Sequence, residues 1–192
     1  MATLYYIRHG ETDWNAEGRL QGQRDTDLNA KGRVQAADAG RKLRNLVQDL
    51  GSVDFISSPL KRTRQTMEIA REAAGLEPFS YETDDRLKEI SFGDWEGLTW
   101  PEVEARAPEK AAAREADKWS FPPPDGESYA MLSERVNPFF NALKRDTVVV
   151  SHGGVARALL AQLCDVPPER APHLDIWQGR VIVIQHRKYN WI

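Results

Sequence analysis

TVVVSHGGVARALLAQLC, residues 147–164, opens with a near-continuous apolar run and turns at Ser151-His152-Gly153-Gly154 into a sequence that reads as a helix. Such an uninterrupted β-branched run suits a central parallel strand buried on both faces, where the polar–apolar alternation of a half-exposed strand is lost. Two earlier segments repeat the unit. TLYYI (3–7) is β-branched and aromatic; a polar loop follows, then NAKGRVQAADAGRKLRNLVQDL (29–50), with Leu43, Leu46, Val47 and Leu50 at i, i+3, i+4 and i+7. VDFISSP (53–59) precedes LKRTRQTMEIAREAAG (60–75), a helix with Pro59 suited to its entry and Gly75 to its stop. Alternating strands and helices predict an α/β fold: a three-layer αβα sandwich around a mostly parallel sheet, with residues 1–192 as a single domain.

The rest of the chain is less regular. LKEISFGDWEGLTWPEV (87–103) reads as a loop leading into a helix at Pro101, EKAAAREADKW (109–119) as helical, and FPPPDGES (121–128) as a turn within the domain. ESYAMLSERVNPFFNALKR (127–145) reads as a helix that Pro138 should kink or break. IWQGRVIVIQHR (176–187) offers Gln178-Gly179-Arg180 as the turn of a terminal hairpin, whose edge a second copy of this chain could pair with.

Composition narrows the function classes. A net charge of -3 with scattered Lys and Arg argues against a nucleic-acid surface. No stretch reaches the roughly 18 apolar residues of a membrane span, and Met-Ala-Thr leads into a strand without signal-like regions. The lone Cys164, in an apolar helical setting, fits a buried unreactive thiol and a reducing cytoplasm.

In a parallel α/β sheet, ligands bind at the carboxyl ends of the strands. Here those ends carry Arg8-His9-Gly10, Ser57-Ser58-Pro59 with Arg62 beyond, and Ser151-His152-Gly153-Gly154. Two imidazoles and two guanidiniums on one rim match what a phosphate monoester needs. Arg8 and Arg62 supply forked donors to the phosphoryl oxygens, and a neutral His9 can attack phosphorus to give phosphohistidine. His152, with the Gly153-Gly154 amides, donates to an equatorial oxygen in the transition state. Glu89, among Phe92, Gly93 and Trp95, is the candidate acid for the leaving group and then the base for water; Asp94 and Glu96 are alternatives. The four histidines show no metal-ligand spacing, and Arg8 beside His9 would repel a cation, so no metal and no cofactor are expected. His173 and His186 read as surface or structural residues. The Trp residues, Trp119 above all, are candidates for an apolar rim, and the charged run Glu102 to Lys118 reads as a solvated helix face or a lid.

RHGETDWN (8–15), SSPLKRTRQT (57–66), LKEISFGDWEG (87–97), PDGES (124–128) and VVVSHGG (148–154), in this order, resemble the histidine phosphatase superfamily, also called phosphoglycerate mutase-like. The resemblance spans about residues 4 to 157. It implies His9 as phospho-acceptor, Arg8, Arg62 and His152 as phosphate-pocket residues, and Glu89 as proton donor and acceptor. It also implies that Asn15 and Gln21 reach the phosphoryl group or its ester oxygen. The mutase branch usually carries a longer insertion after the acidic segment and an HGNS-like sequence where this chain has HGGVAR. This chain therefore resembles the phosphatase branch, acting on a small phosphorylated metabolite. The alternatives are a phosphoglycerate mutase and a phosphate-binding module without turnover.

Overall fold

Strand β1 (Leu4–Arg8) and strand β4 (Thr147–Ser151) lie side by side and parallel at the centre of the molecule, with Arg8 opposite Ser151. The computed structural model describes residues 2–192, so the reading of Met1 lies outside the described residues. All five residues of β4 are buried, as its apolar run requires of a strand flanked on both edges. On its other edge runs β2 (Asp54–Ser57), followed by the two-residue β3 (Glu82–Thr83), both parallel. Beyond β1 the sheet continues antiparallel through β5 (Val181–Gln185) and β6 (Lys188–Trp191), giving the order β3-β2-β4-β1-β5-β6.

The period of two along the strands sends side chains alternately to two cores. One face carries Tyr6, Val149 and Ile182 against α6 (Tyr129–Ala142) and α7 (Gly153–Leu163), through Leu132, Val136, Phe139, Leu159 and Leu160. The other carries Ile7, Val148, Val150 and Val181 against α2 (Ala30–Leu46) and α3 (Lys61–Ala73), through Ala39, Leu43 and Met67. The expected three layers are present. Asn29 caps α2 by accepting from the Gly32 amide at 2.9 Å, and Gly75, at φ +83°, follows the end of α3. Where α2 crosses α3, a Cβ on Gly40 would lie 2.1 Å from the Ala70 carbonyl oxygen, so only glycine permits the approach.

After β1 comes the one-turn α1 (Asp13–Ala16). The middle of the chain forms α4 (Trp100–Arg106), with Pro101 in its first turn and a Thr99–Glu102 capping box, and α5 (Pro108–Ala116). These helices enclose a third, small core of Trp95, Val103 and Ala111. Among the described residues no helix is long and apolar enough to cross a membrane.

Three local expectations differ from the structure. The hairpin is present, but its turn is His186-Arg187, both with positive φ (51° and 62°), while Gln178-Gly179-Arg180 leads into β5. Of the kink or break expected at Pro138, the break is absent: α6 continues through it, with Pro138 and Glu134 both exposed so that water can take the carbonyl bond that proline leaves open. Helix α2 ends at Leu46, and Leu50 belongs to a separate 3₁₀ turn, Leu50–Ser52.

Candidate active site

The parallel register of β1 and β4 continues one residue past each strand, and this brings two histidines together. The His9 amide donates to the Ser151 carbonyl at 2.9 Å, and the His9 and His152 rings meet edge to face, with centroids 5.2 Å apart. Ser58 extends β2 in the same way, its amide bonding to Val150 O at 2.9 Å. The Tyr6 hydroxyl donates to His152 O (2.6 Å) and accepts from the His152 amide (3.0 Å), pinning the chain where β4 becomes α7.

A carbonyl partner assigns the His9 tautomer. The His9 Nδ1 lies 2.7 Å from the Gly10 carbonyl, which can only accept, so Nδ1 carries the hydrogen and Nε2 presents its lone pair. Burial pushes the His9 pKa well below its ordinary value, Arg62 and Arg8 add to this, and the Gly10 bond opposes it. The ring is neutral at pH 7. His152 Nε2 lies 2.8 Å from Ser58 Oγ, which itself accepts from the Leu60 amide at 3.4 Å. The Ser58 hydroxyl can donate to Nε2 or accept from it; with Ser58 as donor the ring hydrogen sits on Nδ1, a buried atom with no partner in the protein. The His152 pKa is also held well below normal, by burial first and then by Arg62 and His9.

Arg62, from the first turn of α3, has no exposed surface. Its Nη1 and Nη2 donate to the Arg24 and Gly22 carbonyls at 2.7 and 2.8 Å, and its Nε reaches His9 Nε2 at 3.3 Å. Burial lowers its pKa to about 10, which leaves it charged at neutral pH. Arg8 donates from Nη1 to Ile176 O at 2.7 Å, and its Nε is buried without a partner.

Glu89 faces this cluster from the loop before the 3₁₀ turn Gly93–Trp95. Its Oε1 accepts from the Ile90 amide (2.9 Å) and its Oε2 from the Gly154 amide (3.2 Å). A Cβ on Gly154 would sit 2.4 Å from Glu89 Oε1, so the glycine is what lets the carboxylate dock on α7. The Gly154 amide, expected on a phosphoryl oxygen, is therefore taken by Glu89, while Gly153 stands beside Arg8. The alternatives to Glu89 are placed elsewhere: Asp94 is exposed, and Glu96 clasps two loops by accepting from the Gln23 and Phe92 amides.

Asn15 and Gln21 are both held through Thr12. The Asn15 oxygen accepts from the Thr12 amide and from Gln178, and the Gln21 oxygen accepts from the Thr12 and Thr26 hydroxyls. Each amide group is thus oriented, with its NH₂ end remaining for a ligand. Trp119 stacks on Tyr129 (6.2 Å, 11°). Arg114, in the charged run of α5, is buried, donating to Phe121 O, while the rest of that face is largely solvated. His173 and His186 are exposed.

Sequence reasoning did not single out Ser58 or Arg135. Arg135 forms a two-pronged ion pair with Glu127 and donates to the carbonyls of Arg86, Lys88 and Glu89, fixing the backbone that presents the Glu89 carboxylate. A glutamate eight residues before an arginine, across a helix start, carries no local signal. Ser58 was visible as a strand-end residue, but its link to His152 spans 94 positions.

The fold that carries these residues has close counterparts among known proteins. The chain belongs to the histidine phosphatase superfamily, whose branch 1 family model matches residues 4–192. It is 36% identical to glucosyl-3-phosphoglycerate phosphatase from Mycolicibacterium vanbaalenii, over 89% of this chain and 78% of that one. It is 35% identical to 6-phosphofructo-2-kinase/fructose-2,6-bisphosphatase 3 from Rattus norvegicus, over 90% of this chain but only 29% of the length of that relative. A mycobacterial glucosyl-3-phosphoglycerate phosphatase solved with VO3 superposes with a TM-score of 0.82 at 32% identity, covering 100% of this chain and 96% of that one. Phosphoglycerate mutase from Thermus thermophilus superposes at 0.72 with 33% identity, covering 98% and 96%.

Proposed function

We propose that this phosphatase hydrolyses small phosphomonoesters without a metal, through a phosphohistidine on His9. The observation that carries the reading is the His9 tautomer: Nδ1–H held by Gly10 O, and a lone pair on Nε2 between Arg62 and His152. In the first step Nε2 attacks phosphorus in line, the P–O ester bond breaks, and the departing oxygen takes a proton from Glu89. Arg8, Arg62 and the His152 Nδ1–H hold the phosphoryl oxygens as charge spreads over them. In the second step the Glu89 carboxylate takes a proton from water, the new hydroxide attacks phosphorus, the P–N bond breaks, and phosphate leaves. Asn15, Gln21 and Gly153 bind the substrate at the pocket's edge.

Turnover of p-nitrophenyl phosphate in excess EDTA, lost in His9→Ala, is the expected result. Loss of wild-type turnover in EDTA refutes the metal-free mechanism, and wild-type turnover by His9→Ala refutes the nucleophile. Interconversion of 2- and 3-phosphoglycerate is the competing reading, favoured by the likeness to the Thermus enzyme. Robust isomerisation with added 2,3-bisphosphoglycerate and little phosphate release would establish it.

In this reading residues 1–192 act as a single domain in a reducing cytoplasm, with a small phosphorylated metabolite as partner. Burial pushes the Cys164 thiol up to about 11, which supports an inert cysteine.

A further inference from the structure

Gln23 takes no part in the chemistry above, yet two groups that must act on the same phosphate both rest on its stretch of chain. Arg62 donates to the carbonyls on either side of it, Gly22 O at 2.8 Å and Arg24 O at 2.7 Å. The Gln23 Nε2 donates to the Glu89 carbonyl at 3.1 Å. Residues 22–24 therefore touch both the buried guanidinium and the backbone that carries the Glu89 carboxylate. They are themselves held by Glu96. Its Oε1 accepts from the Gln23 amide (3.0 Å) and the Phe92 amide (3.2 Å), and its Oε2 lies 3.6 Å from Arg24 Nε. The Glu96 side chain is only 10% exposed, and a carboxylate taken out of water is tolerated where its oxygens find donors. Gly22 has φ +51°, and a Cβ there would run into that carboxylate, so the fit leaves no room for a side chain.

We infer that Gln23, anchored by Glu96, is a positioning residue that holds the Glu89 segment in register with Arg62. The inference rests on the phosphatase reading and deepens it. Arg135 grips the same Glu89 carbonyl at 3.2 Å, together with the Arg86 and Lys88 carbonyls, but it belongs to α6 and makes no bond to residues 22–24. Among the described residues, Gln23 makes the one hydrogen bond that joins those three residues to Glu89 itself. The register matters because Arg62 holds the phosphoryl group while Glu89 serves its leaving oxygen, and a misplacement on the order of 1 Å is enough to slow such a step.

Turnover of an alkyl phosphate and of p-nitrophenyl phosphate, with calorimetric binding of inorganic phosphate, tests this. Gln23→Met keeps the length of the side chain and loses the donor. It should lower kcat for the alkyl phosphate by about 3- to 10-fold, the usual effect of one hydrogen bond, and leave p-nitrophenyl phosphate and phosphate binding close to wild type. Glu96→Ala releases residues 22–24 altogether and should weaken both alkyl phosphate turnover and phosphate binding, by about tenfold each. Glu96→Gln, whose amide oxygen can still accept from the Gln23 and Phe92 amides, should stay near wild type. Wild-type kcat on the alkyl phosphate in Gln23→Met, equal slowing of both substrates, unchanged phosphate binding in Glu96→Ala, or Glu96→Gln as impaired as Glu96→Ala each overturns the inference; the first is what a Gln23 that only fills space would give. Glu89→Gln separates this result from the reading beneath it. If Glu89→Gln slows both substrates alike, the proton-donor role fails, and the phosphate affinities of the two Glu96 variants still decide whether residues 22–24 hold Arg62 in place.

Discussion

Two imidazoles kept neutral among guanidiniums tie the stability of this protein to pH. The folded-state pKa values of His9 and His152 lie well below the unfolded value, so as pH falls below about 6.5 the unfolded chain takes up protons first. Their stabilisation is complete above that pH and is lost below it, at about 1.4 kcal/mol per pH unit for each ring while the folded ring stays neutral. Urea titrations at pH 7.5 and 5.5 should show the loss, and His152→Gln should roughly halve this contribution; equal stability at the two pH values would contradict the buried neutral rings. A second expectation concerns Glu89. Glu89→Gln should slow alkyl phosphates by about 10²- to 10⁴-fold and p-nitrophenyl phosphate far less, since a good leaving group needs little proton transfer. Equal losses would remove the proton-donor role. Ser58→Ala tests the His152 tautomer: ¹⁵N spectra should show the ring hydrogen no longer confined to Nδ1, with kcat reduced. The residue types at this site were legible from strand ends and motif blocks. The ring partners were not: the Gly10 carbonyl meets His9 Nδ1 only in the loop conformation that follows β1, and the Ser58 hydroxyl meets His152 only once β2 and β4 share a register.

At the level of elements, a proline inside a helix and a glycine between two helices give opposite expectations. Pro138 is exposed, and alanine there would restore the bond from residue 138 to the Glu134 carbonyl. Pro138→Ala should therefore raise the thermal midpoint, by about 1 to 2 kcal/mol of stability, less than the roughly 3 kcal/mol intrinsic penalty because proline also restrains the unfolded chain. Gly40→Ala should cost about 1 to 3 kcal/mol, because its methyl would drive α2 away from the Ala70 carbonyl. A midpoint unchanged by Gly40→Ala would mean that the helix pair yields freely. The long periodic elements were readable from apolar spacing alone. The local errors share a cause: solvent exposure rescued the proline, and the hairpin turn formed at His186-Arg187, where two non-glycine residues adopt positive φ. The glycine at 179 (φ +71°) drew attention to the wrong place. Strand β3, two residues long and exposed, carries too little pattern to be seen.

For the molecule as a whole, the alternation of strands and helices was enough to anticipate three layers and one reactive rim, because parallel strands can be joined only by crossovers that cover both faces. What it could not anticipate was how α4 and α5 are mounted. Their interior of Trp95, Val103 and Ala111 meets the core under α6 and α7 through Phe92, which packs against both, and through Arg114, which lies over Phe92 and Tyr129; Glu96 and the Leu20 backbone tie it to residues 20–23. Hydrogen exchange should reflect this, with amides of α4 and α5 opening well before those of β4; matched protection would mean that the three cores melt as one. A subassembly hinged to the main body on one shared ring can vary wherever it does not touch that joint, whereas a change that shifts the joint is felt on both sides.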